Sequence, residues 1–456
     1  MNKLISINPA DESVINEYDQ NAEHEVNDII LKVSNEQSEW KKKAIKDRIK
    51  VLLNVKNDLS INRKKYARLI TSEMGKPISE SIAEINKCIG LCEYYFSNAE
   101  DFLKPEELDF DASKSFVRFE PLGVILGIMP WNFPFWQVFR FAIPALLAGN
   151  TVLLKHASNV QGISILIDQI FNKAHKNLFN SLIIDSKLIS KIISNKDIKA
   201  VSFTGSDIAG SKVAKECGKN IKKSVLELGG ADSFIVLDDV DMKQCINNAV
   251  ISRMINNGQS CIAAKRFIVH EDIHDQFVEE LNYKVGKLII GNPDSDKTDV
   301  GPLATENILI ELDSQIQKSI NLGATLISGG FKLNGKGYFY SPTIITDVTQ
   351  NMPVYYEETF GPVFTIIKSK NINDMIEIAN DSDFGLGGSS WSNSKSKAFD
   401  IANKIETGCV FINGFTRSDP KLPFGGIKKS GYGKELSKYG IREFVNIKTI
   451  VSYANL

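Results

Sequence analysis

A run of alternating elements between residues 150 and 237 restricts the fold of this chain more than any other feature. Short segments rich in β-branched residues, such as NTVLLK, IKAVSFTG and SFIVL, alternate there with amphipathic segments such as ISILIDQIFNKA and DIAGSKVAKECG. A strand, helix, strand order builds a parallel sheet, because each helix returns the chain across one face of that sheet. The sequence therefore predicts an α/β protein with a doubly wound, Rossmann-like sheet.

The flanking regions predict further elements. From about residue 25 to residue 102 the apolar residues recur at helical spacing, which predicts a mostly helical opening. After Asp241 a helical pattern runs into NNGQSC and then into the strand-like KRFIVH, where a second α/β region begins. The 456 residues are enough for two or three domains.

Composition narrows the classes of function. Hydrophobic residues make up 43%, charged residues 24%, and the net charge is −1, which argues against disorder and nucleic-acid binding and favours small-molecule partners. Prolines and polar residues interrupt the most apolar stretch, residues 124–149, so we expect no membrane span. Six irregularly spaced cysteines and the lack of a signal-peptide core predict a cytoplasmic protein.

Three local patterns suggest sites that their context does not support. HEDIH at 270–274 fits a zinc motif, but it follows a strand-like run, so we interpret it as a solvated turn. GSDIAGSK at 205–212 has the serine and lysine of a phosphate loop in reversed order, although a helix start there can still hold a pyrophosphate. Cys88 and Cys92 lack further ligands and are interpreted as core. No metal site is predicted.

Cys261, Asn132 and Glu227 are the candidate catalytic residues. A cysteine is usually inert packing, but Cys261 follows a polar loop with a glycine three residues before it, which favours a nucleophile. Asn132 lies between two prolines in MPWNFP, either as a rigid donor to an oxyanion or in an ordinary rigid loop. Glu227 in ELGG ends a predicted strand, where it either activates water or is a surface charge before a turn.

Taken together and in this order, several motifs resemble the aldehyde dehydrogenase superfamily over nearly the whole chain. They are MPWNFP, LLKHAS, FTGS, ELGG, NNGQSC, EETFGPV and LPFGGIKKSGYGKE. Within it, KHAS, NNGQSCIAAKRFIV and SGYGKELSKYGIREFVNIKTI are similar to bacterial NAD(P)-dependent succinate-semialdehyde dehydrogenases. The resemblance implies a cofactor-binding domain (1–105 and 123–229), a catalytic domain (230–430), and an oligomerisation element (106–122 and 431–456) in a homodimer or homotetramer.

The resemblance also implies a reaction. The Cys261 thiolate would attack the aldehyde carbon, with the oxyanion held by the Asn132 amide and the Cys261 backbone N–H. Hydride transfer to the nicotinamide would leave a thioester, which water activated by Glu227 would hydrolyse. Because coenzyme-A-acylating relatives do not activate water, Glu227 argues against that class.

Cofactor residues are implied by the same match. Lys155 would reach the adenosine ribose and Glu358 the nicotinamide ribose. The pyrophosphate would lie on Thr204, Gly205 and Ser206, and the remaining implied cofactor residues are Trp131, Leu228, Gly229 and Phe360. NAD-preferring relatives carry a glutamate where this chain has Ser158, and a missing acid accommodates a 2′-phosphate. We therefore expect use of NADP at least equal to that of NAD.

The implied substrate residues are Arg140, Ser418 and Trp136. Arg140 matches the arginine that holds the substrate carboxylate in the succinate-semialdehyde group, although an arginine here could also be a structural ion pair. A second arginine of that group is Ile255 in this chain, which leaves open a broad-specificity aliphatic or aromatic aldehyde dehydrogenase. A non-catalytic binding or structural protein is disfavoured, because each motif residue that the chemistry needs is present.

Overall fold

The computed structural model describes residues 3–453. The described part of the chain begins with an antiparallel hairpin of β1 (Lys3–Ile7) and β2 (Val14–Asp19). Three long helices follow, α1 (Glu23–Trp40), α2 (Ile45–Met74) and α3 (Ile78–Leu103), then the short β3 (Glu106–Glu107) and β4 (Lys114–Pro121). The predicted helical opening is confirmed. Cys88 and Cys92 are fully buried on the inner face of α3, as the core interpretation expects.

A Rossmann-like sheet with six strands follows, of which five come from this region and the sixth from the C-terminal segment. Its elements in chain order are β5 (Val124–Met129), α4 (Trp136–Leu147), β6 (Thr151–His156), α5 (Gln161–Ala174), β7 (Phe179–Ser181), α6 (Ile189–Ser194), β8 (Ile198–Thr204), α7 (Asp207–Lys219) and β9 (Lys223–Glu227). These five strands are parallel, in the order β9-β8-β5-β6-β7. The carboxyl ends of β5, β8 and β9 therefore lie side by side at one edge.

A second sheet of seven strands follows. Its elements are β10 (Ser233–Val236), α8 (Met242–Met254), β11 (Arg266–His270), α9 (His274–Val285), α10 (Glu306–Asn321), β12 (Thr325–Ser328), β13 (Thr343–Thr346), α11 (Pro353–Tyr356), β14 (Val363–Ser369), α12 (Ile372–Asn380), β15 (Phe384–Gly385), β16 (Gly387–Trp391), α13 (Lys395–Lys404) and β17 (Cys409–Ile412). The strand order is β12-β13-β14-β11-β10-β16-β17, with only the β12 pairing antiparallel among the described residues. Strand β15 lies outside this sheet.

The C-terminal segment joins two sheets. It contains β18 (Ile427–Lys428), β19 (Gly431–Tyr432), α14 (Ser437–Ile441) and β20 (Val445–Ser452). Strand β19 pairs with β9 of the Rossmann-like sheet, whereas β20 pairs with β4 in a separate three-stranded sheet. Part of the predicted oligomerisation element, residues 431–456, therefore also contributes a strand, β19, to the Rossmann-like sheet. The predicted domain boundaries themselves remain a prediction. Within residues 3–453, no helix combines the length and apolarity needed to cross a bilayer.

Candidate functional site

A cavity of about 280 Å³ lies where β5, β8 and β9 end, and Cys261 lines it. Ten of the predicted site residues line it: Trp131, Asn132, Thr204, Gly205, Ser206, Leu228, Gly229, Cys261, Glu358 and Phe360. Helix α10 forms a further wall with Ile308, Glu311, Leu312 and Gln315. The rings of Trp131 and Phe360 meet edge to face, with their centroids 5.7 Å apart. One space therefore joins the predicted nucleophile to most of the predicted cofactor residues.

A strained turn places Cys261 between α8 and β11. Asn256, Asn257 and Gly258 all have left-handed φ values, of 54°, 56° and 77°. A Cβ on Gly258 would lie only 2.1 Å from a backbone oxygen of Gly361, so glycine is required there. Asparagine tolerates this conformation, and the Asn256 amide fixes it by donating to the backbone oxygens of Asn132 and Gln259. The turn is thus tied directly to the Asn132 loop.

Lys265, which the sequence did not indicate as a site residue, stabilises the loop that carries Cys261. Its buried ammonium donates to the backbone oxygens of Ser260 and Cys261 at 3.0 and 2.7 Å, and lies 3.3 Å from Glu358 Oε1. Glu358 also accepts from the Gly230 N–H, and a Cβ on Gly229 would lie 2.6 Å from its other oxygen. Glycine at 229 therefore allows this carboxylate to reach the cavity wall.

Cys261 is half-buried, and its thiol is neutral in this state. Burial raises the pKa of the Cys261 thiol to about 12, although the charges of Arg140 and Lys265 lower it. The resting thiol therefore keeps its proton at neutral pH, and the attacking thiolate forms only when that proton is removed. A proton acceptor is needed when the sulfur reacts.

The Asn132 amide faces the cavity from a buried position. Its nitrogen donates to the Gln259 backbone oxygen at 3.0 Å, and its oxygen accepts from the Gln137 amide at 2.9 Å. These two bonds fix which way the amide points, so its second N–H is available to a ligand. The backbone N–H of Cys261 donates to no described group. Two donors are thus available near the sulfur.

Glu227 ends β9 but does not line the cavity with Cys261. Its side chain is buried, and neither carboxylate oxygen has a hydrogen-bond partner among the described residues. Burial and the nearby Glu435 carboxylate raise the pKa of Glu227 well above its usual range, against the charges of Arg140 and Lys434. A buried, unpartnered carboxylate with a raised pKa is suited to accept a proton.

The other predicted cofactor residues lie around the start of α7 and the end of β6. Ser206 caps α7 by accepting from the Ala209 N–H, so the positive end of this helix faces the cavity. Lys155 is half-buried on β6 and has no hydrogen-bond or ion-pair partner among residues 3–453, and burial lowers its pKa. Ser158 is exposed just after this strand. Neither Lys155 nor Ser158 lines the cavity itself.

The predicted substrate residues lie together outside the cavity lining. Arg140 forms a buried ion pair with Glu435, and its Nη2 donates to Thr204 Oγ1 at 3.1 Å. The structural alternative considered for this arginine is thus present, and its guanidinium is already engaged. The Ser418 hydroxyl accepts from Trp136 Nε1 at 3.1 Å and from the Lys87 ammonium at 2.7 Å. Lys87 and Glu435 carry no local sequence signal of a site, and only tertiary packing reveals them.

The structure shows what two of the unsupported local patterns, HEDIH and GSDIAGSK, form instead. In HEDIH, His270 ends β11 and His274 begins α9, with a single 3-10 turn between them, so the two histidines do not share a helical face. The buried His274 is hydrogen-bonded to Thr346 and Asp275. GSDIAGSK forms the turn and first helical residues after β8.

Comparison with known proteins agrees with this geometry. The family model described as aldehyde dehydrogenase family matches residues 2–450. A probable NADP(+) succinate-semialdehyde dehydrogenase of Synechocystis is 44% identical and covers 98% of this chain and 99% of its own. NADP(+) succinate-semialdehyde dehydrogenase 1 of Mycobacterium tuberculosis is 41% identical with the same coverage. The solved succinic semialdehyde dehydrogenase of Streptococcus pyogenes, in complex with NADP+, superposes with a TM-score of 0.96 at 37% identity over 98% of this chain and 99% of that one. The chain belongs to the aldehyde dehydrogenase family.

Proposed function

We propose that this protein oxidises succinate semialdehyde to succinate, with NADP as a hydride acceptor at least as good as NAD. The observation that carries the proposal is the single cavity lined by Cys261, Asn132, Glu358 and Phe360. The substrate and the cofactor are supported by the similarity to the Synechocystis and M. tuberculosis relatives, which are named as NADP(+) succinate-semialdehyde dehydrogenases. A second candidate is a broad-specificity aldehyde dehydrogenase. It is favoured because Arg140 is already paired with Glu435, and because this chain has Ile255 where succinate-semialdehyde dehydrogenases carry a second arginine.

The residues present fit NADP. The N-terminus of α7 at Gly205 and Ser206 suits a pyrophosphate, and Lys155 offers an ammonium with no described partner. Ser158 provides a hydroxyl where an acid would repel a 2′-phosphate. We assign Glu358 to the nicotinamide ribose, with Trp131, Leu228, Gly229, Thr204 and Phe360 lining the same space. When bound, the cofactor accepts the hydride that leaves the substrate carbon.

The chain's own groups perform the covalent steps. The Cys261 thiol first loses its proton to solvent, and the resulting thiolate, favoured by the nearby charges of Arg140 and Lys265, bonds to the aldehyde carbon. The resulting oxyanion accepts from the Asn132 side chain and the Cys261 backbone N–H. Hydride loss leaves a thioester on Cys261. After releasing its own proton to solvent, Glu227 takes a proton from the water that adds to the thioester, and the carbon–sulfur bond then breaks to release succinate and regenerate the Cys261 thiolate.

We also propose a homodimer or homotetramer in the cytoplasm. The three-stranded sheet of β3, β4 and β20 exposes apolar side chains, including Ile447, which is 60% accessible, and such a surface suits a partner copy. All six cysteines are free thiols, which is consistent with a reducing compartment.

A panel of aldehydes tests the proposed function. Succinate semialdehyde, butanal, hexanal and benzaldehyde are each assayed with NAD and with NADP on the purified protein. We expect kcat/KM for succinate semialdehyde to exceed that for butanal by about tenfold or more. A tenfold ratio corresponds to about 1.4 kcal/mol of transition-state binding, which one contact to the substrate carboxylate can supply. With this substrate, NADP should be at least as effective as NAD. Equal kcat/KM for charged and neutral aldehydes would favour the broad-specificity enzyme.

A further inference from the structure

A half-buried lysine on α3, Lys87, lies beside the predicted substrate residues and has no carboxylate partner among the described residues. Lys87 Nζ donates to Ser418 Oγ at 2.7 Å and lies 4.1 Å from the centroid of the Trp136 ring. No carboxylate of the described residues is within ion-pair distance of this ammonium. A partly desolvated cation without a counter-ion is costly, so an ammonium in this position beside the predicted substrate residues is suited to bind an anion.

Helix α3 brings Lys87 to the site along one face. Glu80, Glu84 and Lys87 follow at helical spacing. Glu80 accepts from the Asn256 backbone N–H in the turn before Cys261, and Glu84 accepts from the backbone N–H of Trp136 at the start of α4. The next position on this face, Lys87, contacts Ser418 and the Trp136 ring at the start of α4. Through Glu80, the same helix α3 also contacts Asn256, the neighbour of Ile255.

Arg140 connects this lysine to the reacting sulfur. Trp136 and Arg140 are one turn apart on α4, so they share a face that meets Ser418 and Lys87. The Arg140 charge lowers the pKa of both Lys87 and Cys261. Arg140 itself is neutralised by Glu435, whereas Lys87 is not. Of these two cations, only Lys87 therefore has no ion-pair partner among the described residues.

We propose that Lys87, with Ser418, binds the distal carboxylate of the aldehyde substrate and supplies the cation that the chain lacks at Ile255. This assignment rests on the proposed function, because it requires a semialdehyde acid. The carboxylate would accept from the Lys87 ammonium and the Ser418 hydroxyl, while the apolar stem of the substrate packs against Trp136. Lys87 is thus a specificity-determining residue and takes no part in the covalent chemistry.

The test compares succinate semialdehyde with butanal, its uncharged counterpart of equal length, in Lys87→Met, Lys87→Gln and Lys87→Arg. We expect Lys87→Met and Lys87→Gln to lower kcat/KM for the semialdehyde acid by about 10- to 100-fold, as for loss of a charged hydrogen bond. Butanal should change by less than about threefold, and Lys87→Arg should retain most of the preference. Lys56→Met, which removes the ion pair between Lys56 on α2 and Glu93 on α3, is the matched control.

A pH profile separates recognition from a structural role. Burial, and then the Arg140 charge, lower the pKa of Lys87 to about 8, against Glu84, Cys88 and Asp419, which face it and raise it. Above pH 8 the ammonium loses its proton, so the ratio of kcat/KM for the acid to that for butanal should fall. In Lys87→Arg this fall should be absent, because guanidinium stays charged.

The outcomes distinguish the two proposals. A wild-type enzyme that shows no preference for the acid would overturn the proposed substrate and the Lys87 assignment together. If the wild type prefers the acid and both Lys87→Met and Lys87→Gln keep that preference, the Lys87 assignment alone is wrong. If Lys87→Met loses activity with both aldehydes, the assignment is decided by Lys87→Gln and by the wild-type pH profile. A preference for the acid that is unchanged in Lys87→Gln and does not fall above pH 8 in the wild type would overturn it.

Discussion

Arg140 and Glu435 form an ion pair behind the cavity in which each side chain is only 3% exposed. Breaking a buried pair from one side is costly, because the remaining charge has no partner. We expect Arg140→Leu to lower the free energy of unfolding by about 3–5 kcal/mol, measured by urea denaturation. The double variant Arg140→Leu, Glu435→Leu should recover most of this loss. A single variant as stable as the wild type would contradict the pairing.

Cys261→Ala should abolish aldehyde oxidation, because the sulfur forms the covalent intermediate. Binding of NADP should persist, as followed by fluorescence titration. Cys409→Ala is the matched control, since Cys409 is also half-buried with a pKa raised to about 12 by burial. Its activity should stay within about threefold of the wild type, as expected for a residue outside the chemistry. Trapping the acyl adduct on any residue other than Cys261, by mass spectrometry, would refute the mechanism.

Glu227→Gln should slow hydrolysis of the thioester more than its formation. A glutamine cannot take a proton from water, so we expect a burst of reduced cofactor followed by turnover about 10²- to 10⁴-fold slower than wild type. Rapid-mixing absorbance measurements resolve the two phases. An unchanged steady-state rate would exclude Glu227 as the base.

The same substitution should stabilise the fold at high pH. The pKa of Glu227 is raised in the folded state, so the folded protein binds more protons than the unfolded chain, and wild-type stability falls as pH rises above about 4.3. Relative to wild type, Glu227→Gln should therefore gain up to about 1.4 kcal/mol per pH unit until the folded pKa is reached. Melting curves at pH 5 and pH 8 check this. A gain that is larger at pH 5 would contradict the raised pKa.

Ser158→Glu should turn cofactor use toward NAD. A carboxylate near Lys155 would repel a 2′-phosphate, so we expect kcat/KM for NADP to fall by about tenfold or more while that for NAD is unchanged or improved. Ser158→Ala removes the hydroxyl without adding charge and should have a smaller effect. Parallel assays with both cofactors measure the ratio, and equal ratios in the three proteins would show that residue 158 is remote from the phosphate.

Local patterns in the sequence determined the elements and the family. The alternation of segments between residues 150 and 237 predicts a parallel sheet that is present, because hydrophobic period and turn residues act over a few positions. The polar context of Cys261 and the strand end at Glu227 were readable for the same reason. The ordered motifs, from MPWNFP to LPFGGIKKSGYGKE, indicated the aldehyde dehydrogenase family without any knowledge of contacts.

Only the tertiary structure decided which charges meet. The hydrogen bond from Lys87 to Ser418 joins residues 331 positions apart, and no periodicity encodes such a pair. Arg140 meets Glu435 for the same reason, because packing of α4 against the C-terminal segment brings them together. The neutral state of the Cys261 thiol also depends on the burial that the assembled fold imposes. Pairing and desolvation are properties of packed surfaces, so they follow from the fold as a whole.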